Sequence, residues 1–191
     1  MDLMSERMGI SIMSNTYNML LAGFGGQGVL FAGKLIISAG IKEGKQVTWL
    51  PSYGPEMRGG TANCSVIVSD NEVASPLVVK PDVLLAMNLP SLDKFEDIVA
   101  PGGIIIVDSS LVEKKVKRTD VKAYYLPATK MAIENDLKGL ANVIMVGKIA
   151  LETKFVSIDT IEAAIRSSIS EKKIHLLEPN IKAVKLGYEF V

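Results

Sequence analysis

Two hydrophobic rhythms run along the chain. Short unbroken apolar runs dominate the first two-thirds, and longer stretches with helical spacing dominate the rest. Tyr17-Asn-Met-Leu-Leu-Ala22, ending at Gly23, reads as a buried strand. After Gly23-Phe-Gly-Gly-Gln-Gly28, residues Val29 to Gly44 are apolar almost all round, with small side chains at Ala32, Gly33, Ala39 and Gly40. That pattern predicts a buried helix that a sheet can approach closely, ending at Gly44. Gln46 to Leu50 reads as a second strand stopped by Pro51, and Ser52 to Gly60 as a loop by its glycine and proline content. Thr61–Ser69 and Val83–Met87 read as further strands, and Leu89–Val99 as a short amphipathic helix. Ile104-Ile-Ile-Val107 is a continuous apolar run, the mark of a strand covered on both faces. Ala123–Leu126 adds a strand. Thr129–Leu137, Ala141–Thr153, Thr160–Ser170 and Ile181–Phe190 read as helices.

Strand and helix alternate at the front, and the back third is mostly helical. This order implies an α/β fold: a doubly wound, mainly parallel, Rossmann-like sheet with helices on both faces and a helical C-terminal segment. Residues 16–191 are expected to form a single domain, with 1–15 as an N-terminal extension.

Composition narrows the chemistry. The 191 residues carry 21 basic and 21 acidic side chains, so no net field favours nucleic acid. A single Cys cannot build a disulfide framework or a four-thiolate iron–sulfur cluster, and one Cys with one His cannot make a zinc site rich in those ligands. Residues 1–15 hold no continuous apolar run, and no stretch reaches membrane-spanning length. A cytoplasmic protein without membrane attachment is the expectation, and the early methionines leave the true start open.

Gly23-x-Gly25-x-x-Gly28 follows a strand and opens a helix. Such a loop brings free backbone N–H groups and the positive end of the helix dipole to an anion. It can equally be a turn that only packs strand against helix. The acidic residue that holds a nicotinamide ribose at the end of the second strand is missing, since that strand ends Trp49-Leu-Pro-Ser52. No Lys-Ser/Thr pair follows Gly28, so the loop is not a Walker motif.

Tyr53-Gly-Pro-Glu-Met-Arg-Gly-Gly60 follows the second strand and should share the carboxyl edge of the sheet with the first loop. Gly54, Gly59 and Gly60 permit unusual backbone shapes, and Pro55 stiffens the segment. Arg58 offers a planar fork for carboxylate or phosphate, while Glu56 could hold Arg58 or accept a ligand hydroxyl. The bland reading is a surface turn with a solvated ion pair.

Together the two loops resemble those of the gamma subunits of 2-oxoacid:ferredoxin (flavodoxin) oxidoreductases, of the 2-oxoglutarate and branched-chain type. The likeness runs from about Leu20 to Leu111 and continues through Asn142-Val-Ile-Met-Val-Gly147. In the indolepyruvate branch the second loop carries His and Gln around Arg-Gly-Gly, where this chain has Tyr53 and Glu56-Met57. The resemblance implies a non-autonomous enzyme subunit. Its complex would convert a 2-oxoacid and CoA to acyl-CoA, CO2 and reduced ferredoxin or flavodoxin. Thiamine diphosphate, Mg and iron–sulfur clusters would sit in alpha and beta partners and a ferredoxin-like delta chain. In isolation the chain could form a homodimer. Gly23, Gly25, Gly26, Gln27, Gly28, Tyr53, Gly54, Glu56, Arg58, Gly59, Gly60 and Asn142 become candidates for receiving CoA phosphates or lining the partner's site. No catalytic residue is expected in this chain alone. The competing functions are a free-standing nicotinamide- or flavin-binding oxidoreductase and a scaffold module with a vestigial glycine loop.

Other residues have plain readings beside functional ones. Asp108-Ser109-Ser110 could meet a ligand or cap a helix, and Asn88 could cap the helix that follows it. Cys64 reads as a small core residue and His175 as exposed. Lys114, Lys115, Lys117, Arg118 and Lys122 form a solvated edge or a dock for an acidic partner.

Overall fold

The computed structural model describes residues 16–52 and 61–191. The extension over 1–15 and the loop residues Tyr53, Gly54, Glu56, Arg58, Gly59 and Gly60 lie outside the described residues.

Six strands form one sheet among the described residues: β1 (Thr16–Phe24), β2 (Gln46–Ser52), β3 (Thr61–Ser69), β4 (Val83–Ala86), β5 (Ile104–Asp108) and β6 (Lys122–Leu126). Their order is β2-β3-β1-β4-β5-β6. β1, β4, β5 and β6 run parallel, while β3 pairs antiparallel with both β1 and β2. The sheet is therefore mixed: β3 lies between the first two strands instead of extending a parallel array. β2 runs through Pro51 to Ser52, opposite Cys64 and Asn63. Proline has no N–H to give, but β2 is an edge strand and one of its sides needs no donor.

Helices cover both faces, unequally. The larger core packs α1 (Val29–Lys42), α3 (Ala128–Glu134), α4 (Ala141–Thr153), α5 (Ile158–Ser168) and α6 (Leu177–Tyr188) against one side of the sheet. The smaller core holds Leu92 and Phe95 of α2 (Leu89–Phe95) against Leu20, Leu84, Ile105 and Val107 on the other. Adjacent residues Leu20 and Leu21, or Leu84 and Leu85, enter opposite cores, so both faces of the central strands are apolar.

The helices differ from their predicted bounds in instructive ways. The run from Leu89 splits into α2 and a 3-10 turn, Glu96–Ile98. α6 begins at Leu177, four residues before the predicted start, after a 3-10 segment at Glu171–Leu176. Pro179 falls in the first turn of α6, where a missing N–H costs nothing. α4 and α6 cross at two glycines. A Cβ on Gly147 would lie 2.0 Å from the Val184 carbonyl oxygen, and one on Gly187 would lie 1.7 Å from that of Ile144. No helix among the described residues is long and apolar enough to cross a membrane.

Candidate functional site

β1 leads into α1 on one face of the sheet and β4 into α2 on the other. The gap between the carboxyl ends of these neighbouring parallel strands is therefore a topological switch point, where ligands bind in open α/β sheets. The glycine loop occupies one side of it and Met87-Asn88 the other.

Phe24 to Gln27 forms a tight turn, with the Gln27 N–H donating to the Phe24 carbonyl at 3.1 Å. Gly28 is the N-cap of α1 at φ +75°, a left-handed conformation that favours glycine. A Cβ there would also lie 2.5 Å from Nδ2 of Asn142. The site needs glycine at 28 for both reasons. Asn142, at the start of α4 and 3% exposed, donates Nδ2–H to the Gly28 carbonyl at 3.0 Å. Its Oδ1 is buried and has no partner among the described residues. No side chain caps α1, and its first turn holds no acidic residue. Among the described residues, its leading N–H groups and dipole thus face no carboxylate from the helix's own first turn.

Both polar atoms of the Gln27 side chain are engaged. Its Oε1 accepts from the Phe24 N–H at 2.6 Å and from Asn88 Nδ2 at 3.2 Å, and its Nε2 donates to the Met87 carbonyl at 2.9 Å. Asn88 caps α2 as expected, its Oδ1 accepting from the Ser91 N–H at 2.8 Å.

A cleft of about 330 Å³ opens beside the turn. Gly26, Gln27 and Met87 line one side; Leu111, Ile133 and Lys138 line another. The last three were not candidates in the sequence, because only the folded chain brings Leu111 after β5, Ile133 of α3 and Lys138 of the α3–α4 connection back to the glycine turn. Gly25 and Gly28 line a second groove of about 230 Å³ with Phe24 and Ala62. The ends of the second loop emerge at this edge: Ser52 pairs with Asn63, and Thr61 pairs with Phe24.

Asp108 and Ser110 do cap a helix, though one some twenty residues further on. The Asp108 carboxylate accepts from the Thr129 N–H at 3.2 Å and its hydroxyl at 2.6 Å, and Ser110 Oγ accepts from the Lys130 N–H at 3.0 Å. They replace the side-chain cap that Pro127 cannot supply to α3. His175 is exposed on the 3-10 segment before α6. Much of the basic run is engaged at home. Lys114 pairs with Asp93, and Lys115 stacks over the Tyr125 ring at 3.9 Å. Arg118 pairs with Asp120 at 2.5 Å and reaches the Glu96, Asp97 and Val99 carbonyls. The hydrogen bond to Asp93 raises the Lys114 pKa. No cluster of three or more His, Cys, Asp or Glu that could hold a metal occurs among the described residues.

Fold and edge together define an α/β protein with a glycine turn and an uncapped helix at its switch point. The family model for pyruvate ferredoxin/flavodoxin oxidoreductase matches residues 18–190, and the chain belongs to that family. It is 37% identical to the 2-oxoglutarate synthase subunit KorC of Methanocaldococcus jannaschii, over 88% of this chain and 90% of that one. It is 39% identical to the ketoisovalerate oxidoreductase subunit VorA of Methanothermobacter thermautotrophicus over 89% of its length, yet spans only 35% of that longer protein. The solved gamma subunit of a keto/oxoacid ferredoxin oxidoreductase from Geobacter sulfurreducens superposes with a TM-score of 0.77 at 32% identity, covering 91% of this chain and 96% of the other.

Proposed function

We propose that this chain is the gamma-type subunit of a multi-subunit 2-oxoacid:ferredoxin oxidoreductase of the cytoplasm. The complex converts a 2-oxoacid and CoA to acyl-CoA, CO2 and reduced ferredoxin. Thiamine diphosphate, Mg and iron–sulfur clusters belong to alpha, beta and ferredoxin-like partners, because one Cys and one His cannot ligate clusters here. This chain's task is to receive CoA phosphates at the entrance to the partners' site.

The observation that carries the reading is the uncapped start of α1 at the switch point, its Gly28 carbonyl held by Asn142. Backbone N–H groups there suit an anion, and the ends of the Arg58 loop emerge beside them. Arg58 adds a bidentate donor for a phosphate. The residues fit phosphate recognition and supply no nucleophile or redox group of their own.

The test is an Arg58→Ala variant assembled with its alpha and beta partners. The KM for CoA should rise about tenfold, the order expected for losing one charge-assisted hydrogen bond, with the complex intact. An unchanged KM in an intact complex overturns phosphate recognition by Arg58. A lost complex moves the loop to an interface role.

A further inference from the structure

We infer that Gln27 is a positioning residue, the latch that holds the glycine turn in register with the end of β4. Both polar atoms of its side chain are already engaged. Oε1 receives two donors, the Phe24 N–H and Asn88 Nδ2, and Nε2 donates to the Met87 carbonyl. Asn88 continues the chain of bonds, because its Oδ1 accepts from the Ser91 N–H at the start of α2. The hydrogen bonds fix both amides in one orientation: a flipped Gln27 would set an oxygen against the Met87 carbonyl and an NH2 against two donors.

The relay spans the switch point. It ties the turn before α1 on one face to the cap of α2 on the other, and Gln27 itself walls the cleft of about 330 Å³. Gly23 makes the latch possible: a Cβ there would lie 2.8 Å from Gln27 Oε1 and 3.2 Å from the Met87 Cβ. On the opposite side of the turn, Asn142 holds the Gly28 carbonyl. Gly26, between these anchors, has φ +97° and open space where a side chain would be. The turn is thus clamped at both ends with its tip left bare. With its own amide engaged, Gln27 governs where backbone N–H groups point, and the contact with ligand belongs to the turn it holds. This role rests on the reading that the turn receives CoA.

The test uses the complex reconstituted with alpha and beta partners and three single variants. Gln27→Ala removes the latch. Asn88→Ser keeps an acceptor for the Ser91 N–H but removes the donor to Gln27. Gly26→Ala forces a side chain onto the bare tip and so probes the CoA reading directly. Hydrogen exchange of the peptide spanning Phe24 to Gly28 reports the latch without any ligand. Gln27→Ala and Asn88→Ser should each speed that exchange at least tenfold. Both should raise the KM for CoA five- to tenfold, with kcat within twofold and the complex intact. Unchanged exchange overturns the latch. Faster exchange with an unchanged KM, while Gly26→Ala raises it, overturns positioning and leaves the CoA reading standing. An unchanged KM in all three variants overturns the CoA reading and the positioning role with it. If Gln27→Ala fails to assemble, Gln27→Glu serves: it keeps the acceptor and the size but sets a carboxylate oxygen against the Met87 carbonyl. The same exchange and KM changes are expected, and their absence overturns the latch.

Discussion

Cys64 lies fully buried in the middle of β3, its thiol directed at the Val29 carbonyl at 3.7 Å. Burial pushes its pKa up to about 12, because a thiolate there would be stripped of water. The folded form thus favours the neutral thiol. That contribution to stability is complete below the ordinary thiol pKa and is lost as pH rises toward 12. At pH 8.5, iodoacetamide should therefore label the native chain at least a hundredfold more slowly than the chain in guanidinium chloride. Comparable rates would show that the thiol reaches solvent without unfolding. The core role of Cys64 was legible from its mid-strand position alone. Gln27 was a candidate by resemblance, but its bonds were not legible, because nothing local reveals that Met87 and Asn88 lie across from it. Asn142 was likewise a candidate whose partner, 114 residues away, was not legible.

Between elements, the contact with the least tolerance is the crossing of α4 and α6. Glycine inside a helix normally weakens it by about 0.5–1 kcal/mol relative to alanine. Read along the chain, Gly147 and Gly187 are therefore only weak points in two helices. In the fold they are the points where one backbone touches the other, so the usual preference reverses. Gly187→Ala should destabilise the protein by about 2–3 kcal/mol through overpacking. That corresponds to a fall in Tm of about 5–10 °C for a chain of this size, measurable by circular dichroism. A Tm within about 1 °C of the parent would show that the helices part at little cost. Strands and helices were mostly legible because periodicity is local. The insertion of β3 between β1 and β2 was not: an apolar strand reads the same in either direction, and only its partners set its sense. Asp108 shows the same limit, since a cap is visible in sequence only when it adjoins its helix.

At the scale of the molecule, that insertion bears directly on function. A nicotinamide-binding fold needs its second strand beside the first, so that an acidic residue at its end reaches the ribose. Here β3 separates them, and β2 ends at Ser52. Among the described residues the edge keeps the glycine turn and uncapped helix start of such a fold, and no acidic residue stands at the end of β2. An isolated chain titrated with NADH should therefore show no saturable change in nicotinamide fluorescence up to millimolar concentrations. It should also fail to reduce a low-potential dye with any 2-oxoacid. The same chain added to its alpha and beta partners should restore dye reduction that requires both a 2-oxoacid and CoA. A micromolar Kd for NADH would favour a free-standing oxidoreductase. Full CoA-dependent activity from alpha and beta alone would remove this chain from the reaction and reduce it to a scaffold.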